Sequence, residues 1–128
     1  MAVINRFEDL NCWRLARELE NMVWDLTHTG TFAKDFSLKD QINRSTGSTM
    51  DNIAEGFGRA SNREFIQFLI ISRGSIVETQ SQIIRAKDRK HISKEDFDKI
   101  YLKASEVVST ITNFINYLKK DINRTFRA

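Results

Sequence analysis

The sequence predicts an all-α fold, an antiparallel up-down-up-down four-helix bundle. Three observations predict it. The 128 residues contain no proline and only 5 glycines, too few turn formers for an all-β domain or a disordered chain. Three segments open on a serine with an acid three residues on, the signature of a helix N-terminus: Ser37 with Asp40, Ser61 with Glu64, and Ser93 with Asp96. Apolar residues recur at spacings of three and four along four stretches. The length suits one domain, spanning 1–128, with helices over roughly 9–28, 37–58, 61–89 and 93–122.

The first helix is read from Leu15, Leu19, Met22, Val23 and Leu26, with Gly30 placed for a left-handed residue after its end. The second begins at Ser37 and ends near Gly56 and Gly58. Its run Ser45-Thr46-Gly47-Ser48-Thr49 has poor helix propensity and suggests close approach of a neighbouring helix. Gly47, and Gly74 in the third helix, are the expected points of approach. The third helix carries a core stripe of Phe65, Phe68, Leu69, Ser72, Ile76, Thr79, Ile83 and Ala86. The fourth carries a seam of Phe97, Tyr101, Ala104, Val108, Ile111, Ile115, Leu118 and Ile122, the pattern of left-handed bundle packing. Asn123 to Ala128 fall outside the seam and are expected to fray.

The third helix has a second apolar stripe, Ile66, Ile70, Val77 and Ile84, about 100° round from the first. Trp13 and Trp24 are eleven residues apart on the first helix and project in nearly the same direction, off its core face. Either these residues widen the core of a broad bundle, or they form a self-association surface. On the second reading Trp13, Trp24, Ile66, Ile70 and Val77 are the subunit contacts.

The second helix bears a polar stripe of Gln41, Arg44, Ser48, Asn52, Glu55 and Arg59. It fits a solvated face, a polar network between helices or subunits, or a ligand site. Glu55 has Arg59 one turn on as a natural partner. Glu55 and Glu78 form a conceivable carboxylate pair across two helices, but pairing with Arg59 or Arg73 is the more economical arrangement.

The charge balance is mildly basic: 20 Lys and Arg against 17 Asp and Glu, a net +3. Arg85, Lys87, Arg89, Lys90 and Lys94 cluster against Asp88 alone, and with Lys34 and Lys39 they fall at one end of the predicted bundle. Arg59, Arg63, Arg124 and Arg127 fall at the other. Such ends keep a bundle soluble and complement helix dipoles. Multiplied by assembly, they also suit RNA or DNA, bound without sequence preference and with strong salt dependence. No aromatic residue interleaves with these charges along the chain, so base stacking is not suggested.

Catalysis and metal binding find little support. His28 and His91 are far apart in sequence and read as exposed residues near loops; the single Cys12 excludes an internal disulfide and reads as a small core residue. Gly56-x-Gly58 lies between two helices, the wrong context for a dinucleotide fingerprint. No metal or cofactor is expected, and no enzyme activity. No apolar run reaches the roughly 18 residues of a membrane span, and the first ten residues lack a signal-like apolar core, so a cytoplasmic protein is expected.

One string is distinctive: Asn52-Ile53-Ala54-Glu55-Gly56-Phe57-Gly58-Arg59, followed by Glu64-Phe65, Phe68-Leu69, Gly74-Ser75 and Glu78. With Phe7-Glu8-Asp9-Leu10, Trp13, Ala16, Leu38, Gln41 and Arg44 upstream, it resembles a bacterial four-helix-bundle family. That family was first noticed as open reading frames in intervening sequences of large-subunit ribosomal RNA genes. The resemblance runs from about Phe7 to Leu118. This chain has Asn43-Arg44 where the family usually has two arginines, and Ser45 to Thr49 where it usually has an alanine-rich stretch.

The resemblance implies an up-down bundle that assembles into a ring-like homopentamer. It implies a polar network of Gln41, Arg44, Asn52, Glu55, Arg59, Gly74 and Glu78. A distant relative in the same resemblance is the accessory variability determinant of diversity-generating retroelements, a basic pentamer that binds a reverse transcriptase and nucleic acid. The function expected is therefore a non-catalytic homo-oligomeric binding or accessory module, with nucleic acid as ligand. The alternative is a protein-interaction scaffold that recruits a partner protein and has no nucleic-acid affinity.

Overall fold

The computed structural model describes residues 4–127. Four helices account for most of them: α1 (Asn11–Thr27), α2 (Phe36–Phe57), α3 (Asn62–Asp88) and α4 (Lys94–Leu118). Short 3-10 turns at Phe7–Asp9, Phe32–Lys34 and Lys119–Asp121 flank them, and the described residues include no strand. None of these helices is long and apolar enough to cross a membrane.

Two of the three serine starts hold. Ser61 Oγ accepts the Glu64 amide at 3.3 Å, and Ser93 Oγ accepts the Asp96 amide at 3.1 Å. The third does not. α2 begins one residue before Ser37, and its cap is Asp35, whose carboxylate accepts the Leu38 amide. Ser37 instead accepts a hydrogen bond from Gln41 Nε2 at 3.0 Å. Gly30 does take the left-handed conformation, at φ +58°.

Hydrogen bonds between helices fix their directions. Ser45 meets Thr79 while Ser72 donates to the Thr49 carbonyl, so α2 and α3 run antiparallel. Arg73 reaches Thr112 and Gln80 reaches Ser105, so α3 and α4 do too. Lys103 meets Glu18, while Asn11 and Cys12 line a pocket with Thr110 and Phe114, which sets α1 against α4 in the same sense. Each helix packs on its two sequence or ring neighbours, an up-down-up-down bundle.

The core is aliphatic and aromatic. α1 buries Cys12, Ala16, Leu19 and Val23, with Leu15, Met22 and Leu26 at its margins. α4 buries Ile100, Ala104, Val107, Ile111, Ile115 and Leu118. This corrects the predicted seam at four places. Phe97, Val108 and Ile122 are only partly buried, and Tyr101 stands exposed, its ring tilted against Phe97 at 5.4 Å. The two series share Ala104, Ile111, Ile115 and Leu118, and a helix of 3.6 residues per turn drifts off a strict heptad, so the pattern alone does not fix the phase.

The small polar run of α2 is helical because α3 satisfies it. Ser45 Oγ lies 2.7 Å from both Thr79 Oγ1 and Gln82 Oε1, Ser72 donates to Thr49 O at 2.7 Å, and Ser48 meets Ser75 at 3.1 Å. Buried hydroxyls with partners cost little, and their size lets the two helices close on each other. The glycine at the tight contact is Gly56 rather than Gly47 or Gly74. A Cβ at Gly56 would lie 2.7 Å from Phe65 Cδ1 and 2.8 Å from Phe68 Cβ, whereas Gly47 and Gly74 have nothing within 4 Å. Gly56 thus does more than end a helix.

The chain after α4 is not frayed through Arg127; Ala128 lies outside the described residues. Carbonyls of Arg124 and Ile122 accept the Asn62 and Arg63 amides at 2.7 and 2.9 Å, supplying partners for the open N-terminus of α3. Arg127 Nη1 donates to the Phe57 and Arg59 carbonyls at the C-terminus of α2. Phe126 enters a cluster with Phe57, Phe65 and Phe114, 5.2 Å from Phe114 and 6.0 Å from Phe65. Residues 119–127 thus form a strap over the α2–α3 turn. Periodicity misses it because the anchors are two single residues, Phe126 and Arg127.

Candidate functional site

The polar stripe of α2 lies along the outside of the α2–α3 pair. Gln41 Oε1 accepts from Arg85 Nη2 at 2.7 Å. Arg44 pairs with Asp40 at 2.9 Å and is mostly in solvent. Asn52 Nδ2 donates to the Ser48 carbonyl at 2.8 Å, and Arg59 pairs with Glu55 at 2.6 Å while covering the Phe68 ring. Glu78 and Gly74 are exposed on α3. Arg73 goes to Thr112 instead. Within one chain the stripe therefore mixes local pairs, Arg44–Asp40 and Arg59–Glu55, with two links to α3, Gln41–Arg85 and Ser48–Ser75. The structure brings Gln41 to Arg85 and Glu55 to Arg59, but it does not join Glu55 to Glu78.

α3 carries the more unusual surface. Ile70, Val77 and Ile84 stand seven residues apart at 42%, 52% and 41% exposure. Seven residues is nearly two helical turns, so they form one line along the outer wall. Ile66 does not belong to it: at 7% exposed it is part of the core. On an ideal helix Ile66 projects in the same direction as Ile84, five turns on, so its burial comes from what packs over that end of α3 and not from its azimuth. Ile71 is also exposed, towards the α2 side. On α1, Trp24 is exposed and stacks on His28 with ring centres 4.0 Å apart, whereas Trp13 packs edge-on against Phe7 at 5.1 Å. Trp13 thus serves the chain's own N-terminal turn.

The basic cluster of α3 and α4 is less free than its sequence suggests. Arg85 is bound to Gln41, Arg89 pairs with Asp35 at 2.8 Å, and Lys94 pairs with Asp98 at 2.7 Å. Lys87 Nζ sits 4.5 Å above the Phe97 ring, so an aromatic group does stand among these charges. Lys90 holds a left-handed conformation, φ 62°, while the His91 amide donates to Ala86 O and the Lys90 amide to Lys87 O. That is a Schellman stop for α3, with lysine where glycine is usual.

The sequence reading missed the clasp at this end. His91 Nε2 lies 2.8 Å from Asp35 Oδ2, and His91 Nδ1 lies 2.8 Å from Thr31 Oγ1. An ionised Asp35 only accepts, so Nε2 carries a proton and a neutral ring accepts the Thr31 hydroxyl at Nδ1. His91 also stacks on Phe32, at 5.3 Å. The ring is therefore a tie between the two loops at this end, rather than the exposed residue expected. No spacing reveals it, since Asp35 and His91 are 56 residues apart.

His91, then Arg89, hold the Asp35 carboxyl at about 2, below its usual 3.8. A depressed carboxylate stabilises the fold above its unfolded value, and that contribution disappears as pH falls from about 4 towards 2. Asp35→Asn is expected to lower stability at pH 6, with the gap to the parent protein narrowing below pH ~4. Urea unfolding across that range checks it; a gap that stays constant with pH would contradict the assignment.

Cys12 is buried, and burial pushes its thiol up to about 12, so it stays protonated and unreactive. Among the described residues no three His, Cys, Asp or Glu side chains group to hold a metal ion. A groove of about 690 Å³ runs between α1 and α4, lined by Arg14, Arg17, Glu18 and Glu106 among others. Arg14 there is tied to Asp9, and Glu18 to Lys103.

Comparison with known families gives one decisive result. The profile described as 23S rRNA-intervening sequence protein matches residues 8–113. The chain belongs to that family. A solved structure of similar fold is a protein of unknown function from the S23 ribosomal protein family of Bacteroides thetaiotaomicron. It superposes with a TM-score of 0.74 at 21% identity, covering 81% of this chain and 97% of its own. At that identity the likeness speaks for the fold alone. No curated protein matches. The match takes in the whole distinctive string from Asn52 to Glu78, so in this member of the family the string spans the α2–α3 turn and the Gly56–Phe65 contact.

Proposed function

We propose that the chain is a non-catalytic, homo-oligomeric binding module that takes RNA or DNA as its ligand. The observation that carries the reading is the line Ile70, Val77 and Ile84, three large aliphatic side chains half exposed along one helix of a charged surface. A second copy of the chain is the covering that best suits an apolar line on a charged surface, and in a ring the line meets a different patch of the neighbouring copy. Five copies is the number that the family resemblance implies. In a ring with its axis along the helices, every copy presents the same bundle end to the same side, so modest charge becomes a strong local field.

Nucleic acid is supported by the net positive charge, which lies at the bundle ends. The paired state of Arg85, Arg89 and Lys94 favours the scaffold alternative instead. A gel shift with generic RNA and DNA separates the two. The nucleic-acid reading expects retardation at low salt that weakens steeply as salt rises, without sequence preference. No retardation at low salt removes nucleic acid and leaves the scaffold reading.

A further inference from the structure

We infer that the surface meeting the nucleic-acid phosphates is the strap end of the bundle, built from Arg63, Lys119, Lys120 and Arg124, and not the Arg85–Lys94 cluster. The inference rests on the nucleic-acid reading above and locates it.

The charge distribution points there. The end formed by residues 24–40 and 84–101 holds eight Lys and Arg against seven Asp and Glu. The end formed by residues 4–14, 55–64 and 117–127 holds eight against five. Among the described residues both ends keep cations without an acidic partner, so the contrast lies in the acids left over: Asp25, Asp88 and Asp96 at the first end, Glu64 and Asp121 at the strap end. At the strap end Glu8, Asp9 and Glu55 are consumed by Arg6, Arg14 and Arg59. Arg63, Lys119, Lys120 and Arg124 are all exposed, and none has an acidic partner within 4 Å among the described residues.

The strap also orders these cations. The Asn62 and Arg63 amides are bonded to the Arg124 and Ile122 carbonyls, which places Arg63 beside Arg124 on adjoining backbone. Phe126 and Arg127 anchor the segment from its far side. A cation held on a fixed backbone loses less entropy on binding than one on a free tail. Aromatic faces stand close by: Lys120 lies 5.8 Å from the centre of the half-exposed Tyr117 ring, and Arg59 lies 4.6 Å from that of Phe68. Cations interleaved with rings suit a flexible single strand, whose phosphates and bases both find partners.

The test is fluorescence anisotropy of a labelled single-stranded oligouridylate of about 20 nucleotides, titrated at salt from about 50 to about 200 mM. Three proteins are compared: the parent, the variant Arg63→Gln/Lys119→Gln/Lys120→Gln/Arg124→Gln, and the opposite-end variant Lys87→Gln/Lys90→Gln/Lys94→Gln. The strap-end variant is expected to bind at least about tenfold more weakly, with a salt slope shallower by about 3, since each phosphate contact on a single strand contributes roughly 0.7. The opposite-end variant is expected to bind within about twofold of the parent. The pair Lys119→Gln/Lys120→Gln, outside the backbone pairing, should give about half the slope change and guards against misfolding of the larger variant. Weakening by the opposite-end variant alone, or by neither, overturns the assignment. Competition by polyglutamate as effective as by RNA reassigns the surface to acidic polypeptides. A parent protein that fails to bind even at low salt overturns the nucleic-acid reading itself.

Discussion

Phe65→Ala is expected to destabilise the fold by about 3–5 kcal/mol, the largest effect of any single truncation in the bundle. Phe65 is 2% exposed and sits among three other rings. Its ring centre lies 5.2 Å from Phe114, 6.0 Å from Phe126 and 6.2 Å from Phe57. On its remaining side it abuts Gly56, where a Cβ would lie within 2.7 Å of it. Truncation leaves a cavity bounded by a glycine backbone and by rings fixed from behind, so little can collapse into it. The strap loses its packing partner in the same step, because Phe126 rests on Phe65. Urea unfolding with a parallel thermal melt measures the effect. A loss below about 1 kcal/mol would mean that the aromatic cluster does not hold the α2–α3 turn.

The second large effect is expected on assembly and not on folding. Ile70→Gln/Val77→Gln/Ile84→Gln replaces the exposed line of α3 with residues of good helix propensity. Each parent side chain is 41–52% exposed, so its remaining burial at an interface is worth about 1 kcal/mol. Losing three such contacts weakens each subunit interface by about 3 kcal/mol, on the order of a hundredfold in dissociation constant. The helical signal and the melting of the isolated chain should change little, since exposed substitutions on a helix shift stability by about 0.5 kcal/mol or less each. Ile66 would behave differently: as a core residue, its substitution reads out in stability rather than in mass.

The sequence is most readable where a local rule decides. Ser61 and Ser93 announce helix starts because the capping hydroxyl and the amide it accepts are three residues apart. Asp35 escapes because its worth lies in Arg89 and His91, which only the fold brings near. The predicted α4 seam lies on the right side of the helix but is out of phase at Phe97, Tyr101 and Val108, since both phases share four residues, and it runs past the helix's end at Ile122. Gly56 was legible as a helix-ending glycine, whereas its contact with Phe65 and Phe68 depends on how closely α3 approaches. The strap is the clearest loss. It has no periodicity, and its function depends on single residues that cap the α2 carbonyls and the α3 amides. Of the candidate surface, Ile70, Val77 and Ile84 stand out by period alone, and the basic ends follow from the antiparallel pattern, while the ion pairs that occupy Arg89 and Lys94 are visible only in the fold.

The central claim is that the exposed line of α3 joins copies of this chain. Sedimentation equilibrium of the parent and the Ile70→Gln/Val77→Gln/Ile84→Gln variant, at matched micromolar concentrations, tests it most directly. The parent is expected at a multiple of 14.9 kDa, and the folded variant at 14.9 kDa itself. A parent that sediments as a monomer, or a variant that keeps the parent's mass, would contradict the claim.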